Sequence, residues 1–482
     1  PYGRTRGCGS AGKRYGVDDR TSGRAHPHGT GRQRKGGEGI YHGCDDGADD
    51  GNLSETIEGW VEMNAWNIIL RMMNWGKRTL LKIFPHSFLR KLKGLLIRKS
   101  LHDMQKTAIV PFDRKLFLDG INLIGNIRAE TGLGQSCRLL ADELEASGIP
   151  YSIYQYDQLG VMAEGKYEKY EKKISRELPY NINLIHINPH ELGLAFQQNH
   201  EQIWDGRYNI GFWLWELEEF PEIWTPCFCC LNEIWTPSEF ISRTIRKKTQ
   251  LPVITIPYHI EASVSRSYDR MEFGLPKEQF LFLVMYDRTS MTKRKNPEGA
   301  IEAFKTAFRP EDRVGLVIKI SNCTSRELQM LKAKMAGYQN VYFITEILQR
   351  DQVNGLIQCV DAVVSLHRAE GFGLVLAEAM YLGTPVIATG WSSNTEFMTR
   401  ENSCLVDYEI VEMDEDVGLL KKGNHWAEPD LAQAAKYMKV LYEDPFYGKT
   451  LADRAAAYIR EKLDMTHAVR KITARQFYIY GS

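Results

Sequence analysis

The sequence lacks any uninterrupted apolar run of the ~18 or more residues that a membrane-spanning helix needs. It also lacks the basic, apolar and small-residue series of a secretory signal at its start. Net charge is missing as well. Sixty-one Lys and Arg balance sixty-one Asp and Glu, so no global field favours nucleic acid, and electrostatic specificity has to be local. Cysteine is sparse, nine in 482 residues, and mostly isolated. The cluster Cys227-Phe-Cys229-Cys230 has no second cluster at zinc-ligand spacing. Small buried thiols in a reducing compartment are expected, and with them a cytoplasmic protein.

Two further deficits divide the N-terminal region. Residues 1–52 are rich in Gly, Arg and Asp and nearly devoid of aliphatic side chains. Such a chain cannot bury enough apolar surface to offset its ordering entropy. Residues 1–62 are therefore expected to be a disordered leader, or one upstream of the true start, since Met63 opens a more protein-like stretch. No acidic residue then occurs between Glu62 and Asp103. Within 63–110, Trp66, Leu70, Trp75, Leu80 and Phe84 mix with Arg71, Lys77, Arg78, Arg90 and Lys93. Apolar residues beside unopposed cations suit a helix lying on an anionic membrane surface through residues 63–101, peripheral on the inner face. The alternative is a basic helix packed on the folded body.

What is present is alternation. From Pro111 onward short apolar strands alternate with amphipathic helices in two series, 111–275 and 276–445. Expected strands include 115–124, 181–188, 208–215 and 233–236 in the first series, and 280–286, 315–320, 341–344, 362–366 and 385–388 in the second. This is the pattern of an α/β protein with two Rossmann-like, doubly wound domains facing across a cleft. A helical segment, 446–482, is expected to close the second domain and cross back to the first.

The most informative stretch is Ser365-Leu-His-Arg-Ala-Glu370-Gly-Phe-Gly-Leu-Val-Leu-Ala-Glu378. A strand ends near Leu366, a glycine turn follows, and a helix opens near Leu374. Gly371 and Gly373, either side of Phe372, let backbone approach a ligand, and the helix start offers free N–H groups to a diphosphate. Glu378 falls roughly 6 Å further along the helix axis than its start. Two carboxylates at different depths suit two sets of sugar hydroxyls.

A basic turn, Asp287-Arg288-Thr-Ser-Met-Thr-Lys293-Arg294-Lys295-Asn296-Pro297, follows another strand. Asn296 and Pro297 read as the N-cap and first residue of the next helix. Cations here can stabilise charge on a departing diphosphate; the alternative is a solvated basic turn. Lys319, at the end of its strand, is a further candidate for the same pocket. In the first series, Gly125-Asn-Ile-Arg-Ala-Glu-Thr-Gly132-Leu-Gly134 joins a strand to a helix as a phosphate-approaching loop would. It matches neither the dinucleotide fingerprint nor a P-loop. His186 and His190 bracket another strand end, where a satisfied core histidine is the competing reading. Trp213, Trp215 and Glu216 end the next strand, and the tryptophans offer either a platform for sugar faces or core packing.

Glu370 through Glu378, with the flanking Ser365–Leu374 segment and Gly383-Thr-Pro-Val-Ile-Ala-Thr-Gly390, resembles the E-x7-E signature of the retaining GT-B glycosyltransferases of family GT4. The resemblance spans about residues 112–460. It implies a hexosyltransferase acting from a nucleotide diphosphate sugar, with mannose as the suggested sugar and a glycan or lipid-linked acceptor. By resemblance Glu370 contacts the donor sugar and Glu378 the ribose, with Gly371, Phe372, Gly373, Leu374, Gly132 and Gly134 lining the donor. Lys295 matches the family's lysine; the partner arginine is Arg288 or Arg294, because this loop is longer than usual. His190 falls near a functional histidine of the family, and His186, Trp213, Trp215 and Glu216 fall on the acceptor side. Ser393 stands where a glycine is usual. No aspartate-rich metal motif is present, so neither metal nor other cofactor is expected.

Three competing readings remain at this level. A glycoside hydrolase would use Glu370 and Glu378 as its carboxylate pair. A non-catalytic nucleotide-sugar-binding protein would bind donor without turnover. A Rossmann oxidoreductase lacks its glycine fingerprint.

Overall fold

The computed structural model describes residues 86–156, 164–165 and 167–481. The expected leader, and residues 63–85 of the basic segment, lie outside the described residues. The described residues gather into one compact unit that holds both sheets.

The first half runs α1 (His86–Lys106), β1 (Leu118–Gly125), α2 (Gly132–Ser147), β2 (Tyr151–Gln155), α3 (Glu168–Glu171), β3 (Tyr180–Ile185) and α4 (Pro189–Ile203). It continues with β4 (Tyr208–Phe212), a 3-10 segment (Glu222–Cys230), β5 (Glu233–Thr236), α5 (Glu239–Arg246) and β6 (Val253–Thr255). The six strands are parallel in the order β2-β1-β3-β4-β5-β6. Chain direction through the sheet reverses at the β1/β3 boundary, the place where doubly wound sheets bind ligands.

A buried polar ladder crosses this sheet. Asn122 Nδ2 donates to Asn183 Oδ1 at 2.9 Å, and Asn183 Nδ2 donates to Asn209 Oδ1 at 2.8 Å. Ser152 Oγ donates to Asn122 Oδ1 at 3.1 Å. The register that pairs these residues satisfies the buried amides, and a one-residue slip would orphan them.

The second half runs β7 (Phe280–Asp287), α6 (Thr292–Lys295), α7 (Pro297–Ala307), β8 (Val314–Ser321), α8 (Ser325–Lys334), β9 (Val341–Ile344) and α9 (Arg350–Cys359). Then come β10 (Ala362–Ser365), α10 (Leu374–Tyr381), β11 (Val386–Thr389) and β12 (Cys404–Val406). This sheet is also six-stranded and parallel, ordered β12-β11-β10-β7-β8-β9, with its reversal between β7 and β10. An antiparallel hairpin, β13 (Tyr408–Glu412) and β14 (His425–Pro429), stands outside it. Helices α11 (Leu431–Glu443), α12 (Pro445–Lys462) and α13 (Met465–Gly481) finish the chain.

The 446–482 segment thus divides. α12 packs on α10, and α13 returns to α2 of the first half. Arg475 Nε donates to the fully buried Glu233 at 2.7 Å, and Tyr480 Oη donates to Asn181 Oδ1 at 2.7 Å, fastening α13 there. The halves also meet where Glu396 accepts from the backbone N–H of Glu239 and Phe240 at 3.1 and 2.8 Å. A carboxylate is favourable at the start of α5, where those donors have no helical partner.

Several boundaries differ from the sequence reading. The first strand begins at Leu118 because Asp113 closes a turn, accepting from Leu116 N at 3.1 Å. The strand expected over 208–215 ends at Phe212, since Leu214 N bonds Asn188 Oδ1 at 3.0 Å and leaves the ladder. Within the basic segment, Leu96 of α1 is buried, and Leu101 and Met104 are buried with Phe196, Cys227 and Cys230. That part of the segment is packed on the body rather than presenting its apolar side outward.

Candidate active site

The carboxyl ends of β7 and β10 flank the reversal of the second sheet, and each releases one of the two segments singled out by sequence. After β7, Asp287 Oδ1 accepts from Thr289 N at 2.7 Å and turns the chain away. Met291 and Asn296 take left-handed φ values of 64° and 50°, bracketing the single helical turn α6. Asn296 caps α7, accepting from Gly299 N at 3.1 Å, and its Nδ2 donates to Leu366 O at 2.9 Å. The basic turn is thereby tied to the end of β10.

These turns bring Lys295 and Glu370 together, Nζ to Oε2 at 2.5 Å. Arg294, 4% exposed, lies beside them. Its Nη1 donates to Ala369 O at 2.8 Å and stands 3.7 Å from Glu370 Oε2, while Nη2 stands 3.8 Å from Glu216 Oε1 in the first half. Burial pushes the Glu370 carboxyl up, but Lys295, Arg294 and His367 outweigh it and hold its pKa at about 2. Burial lowers the Lys295 ammonium, with Arg294 adding to this and Glu370 opposing it. Burial raises the Glu216 carboxyl, and Glu370 adds to that shift against the pull of Arg294 and Lys295.

Glu378, 3% exposed, has a separate partner, the Arg350 guanidinium at the start of α9. Its Oε2 has no hydrogen-bond partner, so a buried acceptor is left facing unfilled demand. Gly373 adopts φ 95° as it enters α10, which starts at Leu374, and Phe372 packs edge-on to Tyr258 at 4.9 Å.

Other candidates fall elsewhere. Arg288 does not join the cluster: its Nε donates to Asn322 O at 2.9 Å and stands 3.9 Å from Glu327, because the 3-10 turn after Asp287 directs it toward α8. The arginine beside Lys295 is Arg294. Lys319 is buried, with its ammonium on Ser321 Oγ; burial lowers its pKa, against Asp287 and Glu346. Trp213 and Trp215 are 1% and 3% exposed, enclosed by Phe220, Trp224 and Phe228, and offer no face to a sugar. The chain bends into the 222–230 turn immediately after them and covers both rings. His190, second in α4, sits 3.8 Å from Glu191 with its ring against Trp224. His186 is a core group, its Nε2 2.6 Å from Ser136 Oγ, and burial pushes its pKa down to about 4.

In the first-half loop, Thr131 Oγ1 caps α2 by accepting from Gly134 N at 3.2 Å. A Cβ on Gly134 would lie 1.9 Å from Ala129 O, whereas one on Gly132 meets nothing within 4 Å. Arg138, not anticipated from sequence, holds the loop by donating to Ile127 O and Ala129 O at 2.9 and 3.0 Å. Its only sequence signal was a cation nearly two turns inside the helix. The departure at Ser393 also resolves differently: Ser392 carries the positive φ, 77°, while the Ser393 hydroxyl lies 2.8 Å from that of Ser238.

Two surface hollows, about 480 and 610 Å³, lie elsewhere. The smaller is lined by Phe280, Thr384 and Pro385 at the amino-terminal edge of the second sheet, opposite the edge where such sheets bind ligands. Among the described residues no group of three or more His, Cys, Asp or Glu is disposed to hold a metal.

Residues 268–461 match the family model for glycosyl transferases group 1. The chain carries a group 1 glycosyltransferase domain. The matched region contains the basic turn, Glu370, Arg350 and Glu378. Among solved structures, the chain is similar to Anabaena HepE in complex with UDP and glucose. That match has 13% identity and a TM-score of 0.57, over 74% of this chain and 99% of that one. It is also similar to sucrose-phosphate synthase from Thermosynechococcus elongatus, at 15% identity and a TM-score of 0.55, over 76% and 100% of the two chains. Against S. aureus TarM it spans 57% of that chain's length, with a TM-score of 0.46. At these identities the likeness speaks for the fold, which is GT-B: two doubly wound α/β halves. No curated protein matches the sequence.

Proposed function

We propose that this glycosyltransferase moves a hexosyl group from a nucleoside diphosphate sugar to an acceptor hydroxyl with retention at the anomeric carbon. The observation that carries this is the meeting of Lys295, Arg294 and Glu370 at the reversal of the second sheet, opposite Glu216. In this reading Lys295 and Arg294 stabilise the diphosphate as the anomeric C–O bond breaks, and no metal or other cofactor takes part. Glu370 holds sugar hydroxyls, and the unpartnered oxygen of Glu378 takes a ribose hydroxyl. The acceptor oxygen bonds to the anomeric carbon on the face the phosphate leaves, and its proton passes to the departing phosphate oxygen. Glu370, ionised down to pH about 2, is unsuited to the general-acid role a glycosidase would need.

The complex of HepE with UDP and glucose supports a uridine nucleotide as the first donor to test, with GDP-mannose as the alternative sugar the sequence resemblance suggests. Incubation with each donor and analysis of the released nucleotide, with and without glycan acceptors, tests the reading. Binding without turnover for every donor and acceptor would instead favour a nucleotide-sugar-binding protein.

A role in polysaccharide or glycolipid assembly at the inner membrane face belongs to the same proposal. Because α1 is already committed to the body at Leu96, Leu101 and Met104, the membrane contact would fall to residues 63–85. Deleting them should abolish sedimentation with anionic liposomes; unchanged sedimentation removes the membrane role.

A further inference from the structure

The basic turn and the Glu370 loop are distant in sequence, so something must hold their charged groups in register. Arg368 is the junction. Its backbone N donates to Arg294 O at 2.8 Å, and its Nη1 donates to Lys293 O at 2.8 Å. The same guanidinium makes a two-pronged bond to Glu428 on β14, at 2.6 and 2.8 Å. Arg368 O accepts from Ala427 N at 3.0 Å, and the guanidinium carbon stands 5.2 Å from the centre of the Trp426 ring. One residue therefore links the turn bearing Arg294 and Lys295, the loop bearing Glu370, and the β13–β14 hairpin.

The hairpin bears on the same turn independently. Glu415 pairs with Lys293, and Met291 fills the space beside Gly418, where a Cβ would come within 2.6 Å of its sulfur. Trp426, Met413, Val417 and Leu420 of the hairpin region are buried in the same apolar cluster as Trp213 and Trp215 of the first half. The hairpin is thus anchored on the first half and grips the basic turn of the second.

We propose that Arg368 is a positioning residue for the transfer reaction, setting Arg294 and Lys295 against Glu370, with Glu428 as its fixed anchor. This rests on the reading that those two cations receive the diphosphate. The planar fork is what the role needs, because one group must satisfy a carbonyl and both oxygens of a carboxylate at once. A lysine keeps the charge and loses the fork.

The test uses the full chain with Arg368→Gln, Arg368→Lys, Glu428→Gln and the exchange Arg368→Glu/Glu428→Arg. Amide hydrogen exchange across 291–296 needs no ligand and should quicken in Arg368→Gln and Arg368→Lys beyond any change elsewhere. With UDP-glucose, kcat should fall roughly ten- to hundredfold in both variants, with a smaller change in KM, since misplaced cations are missed chiefly in the transition state. The charge exchange should recover the melting temperature lost in Glu428→Gln but not kcat, because the glutamate cannot donate to Lys293 O. Unchanged exchange at 291–296 in Arg368→Gln, or recovery of kcat together with stability in the exchange variant, would overturn the proposal and leave Arg368 a structural tie. Failure of the wild-type chain to bind UDP or use UDP-glucose would count against the donor reading alone. The exchange measurement would then still decide the positioning of the turn.

Discussion

Arg294 stands between two carboxylates from opposite halves of the chain: Nη2 lies 3.8 Å from Glu216 Oε1, and Nη1 lies 3.7 Å from Glu370 Oε2. The guanidinium is buried and also donates to Ala369 O and, at 3.3 Å, to Ser290 O. Removing it leaves two partly buried carboxylates facing one another with Lys295 as their remaining cation. Arg294→Ala is predicted to cost roughly 3 kcal/mol. Arg288→Ala, at an exposed pair, should cost under about 1 kcal/mol and spare turnover. Melting curves and donor turnover of the two variants check this; equal losses would sink the choice of Arg294 as partner of Lys295.

The two glutamates should separate kinetically. Glu370→Gln removes the charge that Lys295 contacts and is expected to lower kcat about a hundredfold with UDP affinity nearly kept. Glu378→Ala should weaken UDP binding about tenfold, or about 1.4 kcal/mol, since it deletes a buried acceptor away from the reacting bond. Titration calorimetry with UDP and initial rates with the sugar donor distinguish the two. Wild-type behaviour in both variants would show that the site is elsewhere.

Gly134 and Gly132 make a matched pair. A methyl group on Gly134 would drive into Ala129 O, so Gly134→Ala should displace the loop and cost roughly 1–3 kcal/mol. The open space around Gly132 predicts a change of at most about 1 kcal/mol for Gly132→Ala, in the stabilising direction expected for a helix. Chemical denaturation of the two variants measures the difference, and a larger loss for Gly132→Ala would contradict the loop geometry.

His186 gives a pH dependence of definite sign. Burial lowers its folded pKa from 6.5 to about 4, so the native imidazole stays neutral while the unfolded chain takes up a proton. Its contribution is complete above pH 6.5 and is lost progressively as the pH falls toward 4. The loss is at most roughly 3 kcal/mol. His186→Gln should flatten the melting temperature between those limits; a slope identical to wild type would mean that the histidine is already charged in the native state.

Much of this architecture was legible in the chain. Strand–helix alternation implied two doubly wound halves because a strand buried on both faces must be apolar throughout, while its covering helices are apolar on one side. Glu233–Thr236 and Val341–Ile344 were read to their boundaries. The hairpin at 408–429 escaped because β13 is largely exposed, alternates weakly and is separated from its partner by a long polar loop. Trp213 and Trp215 looked equally suited to a binding platform and a core. Only the rings packed around them distinguish the two.

By itself, then, the sequence determined the local chemistry: which residues cap helices, which turns carry glycine, that Glu370 and Lys295 sit in loops after strand ends, and that Glu378 lies in the helix that follows. Tertiary structure decided which charges meet. Arg294 rather than Arg288 joins Lys295, Glu378 pairs with Arg350, and Arg368 ties both loops to a hairpin some sixty residues away, a separation set by Arg368 and Glu428. Those choices depend on strand order and on the direction each turn gives its side chains. Ion pairs form between groups that the packed sheets bring within a few ångströms, and no local pattern encodes that distance.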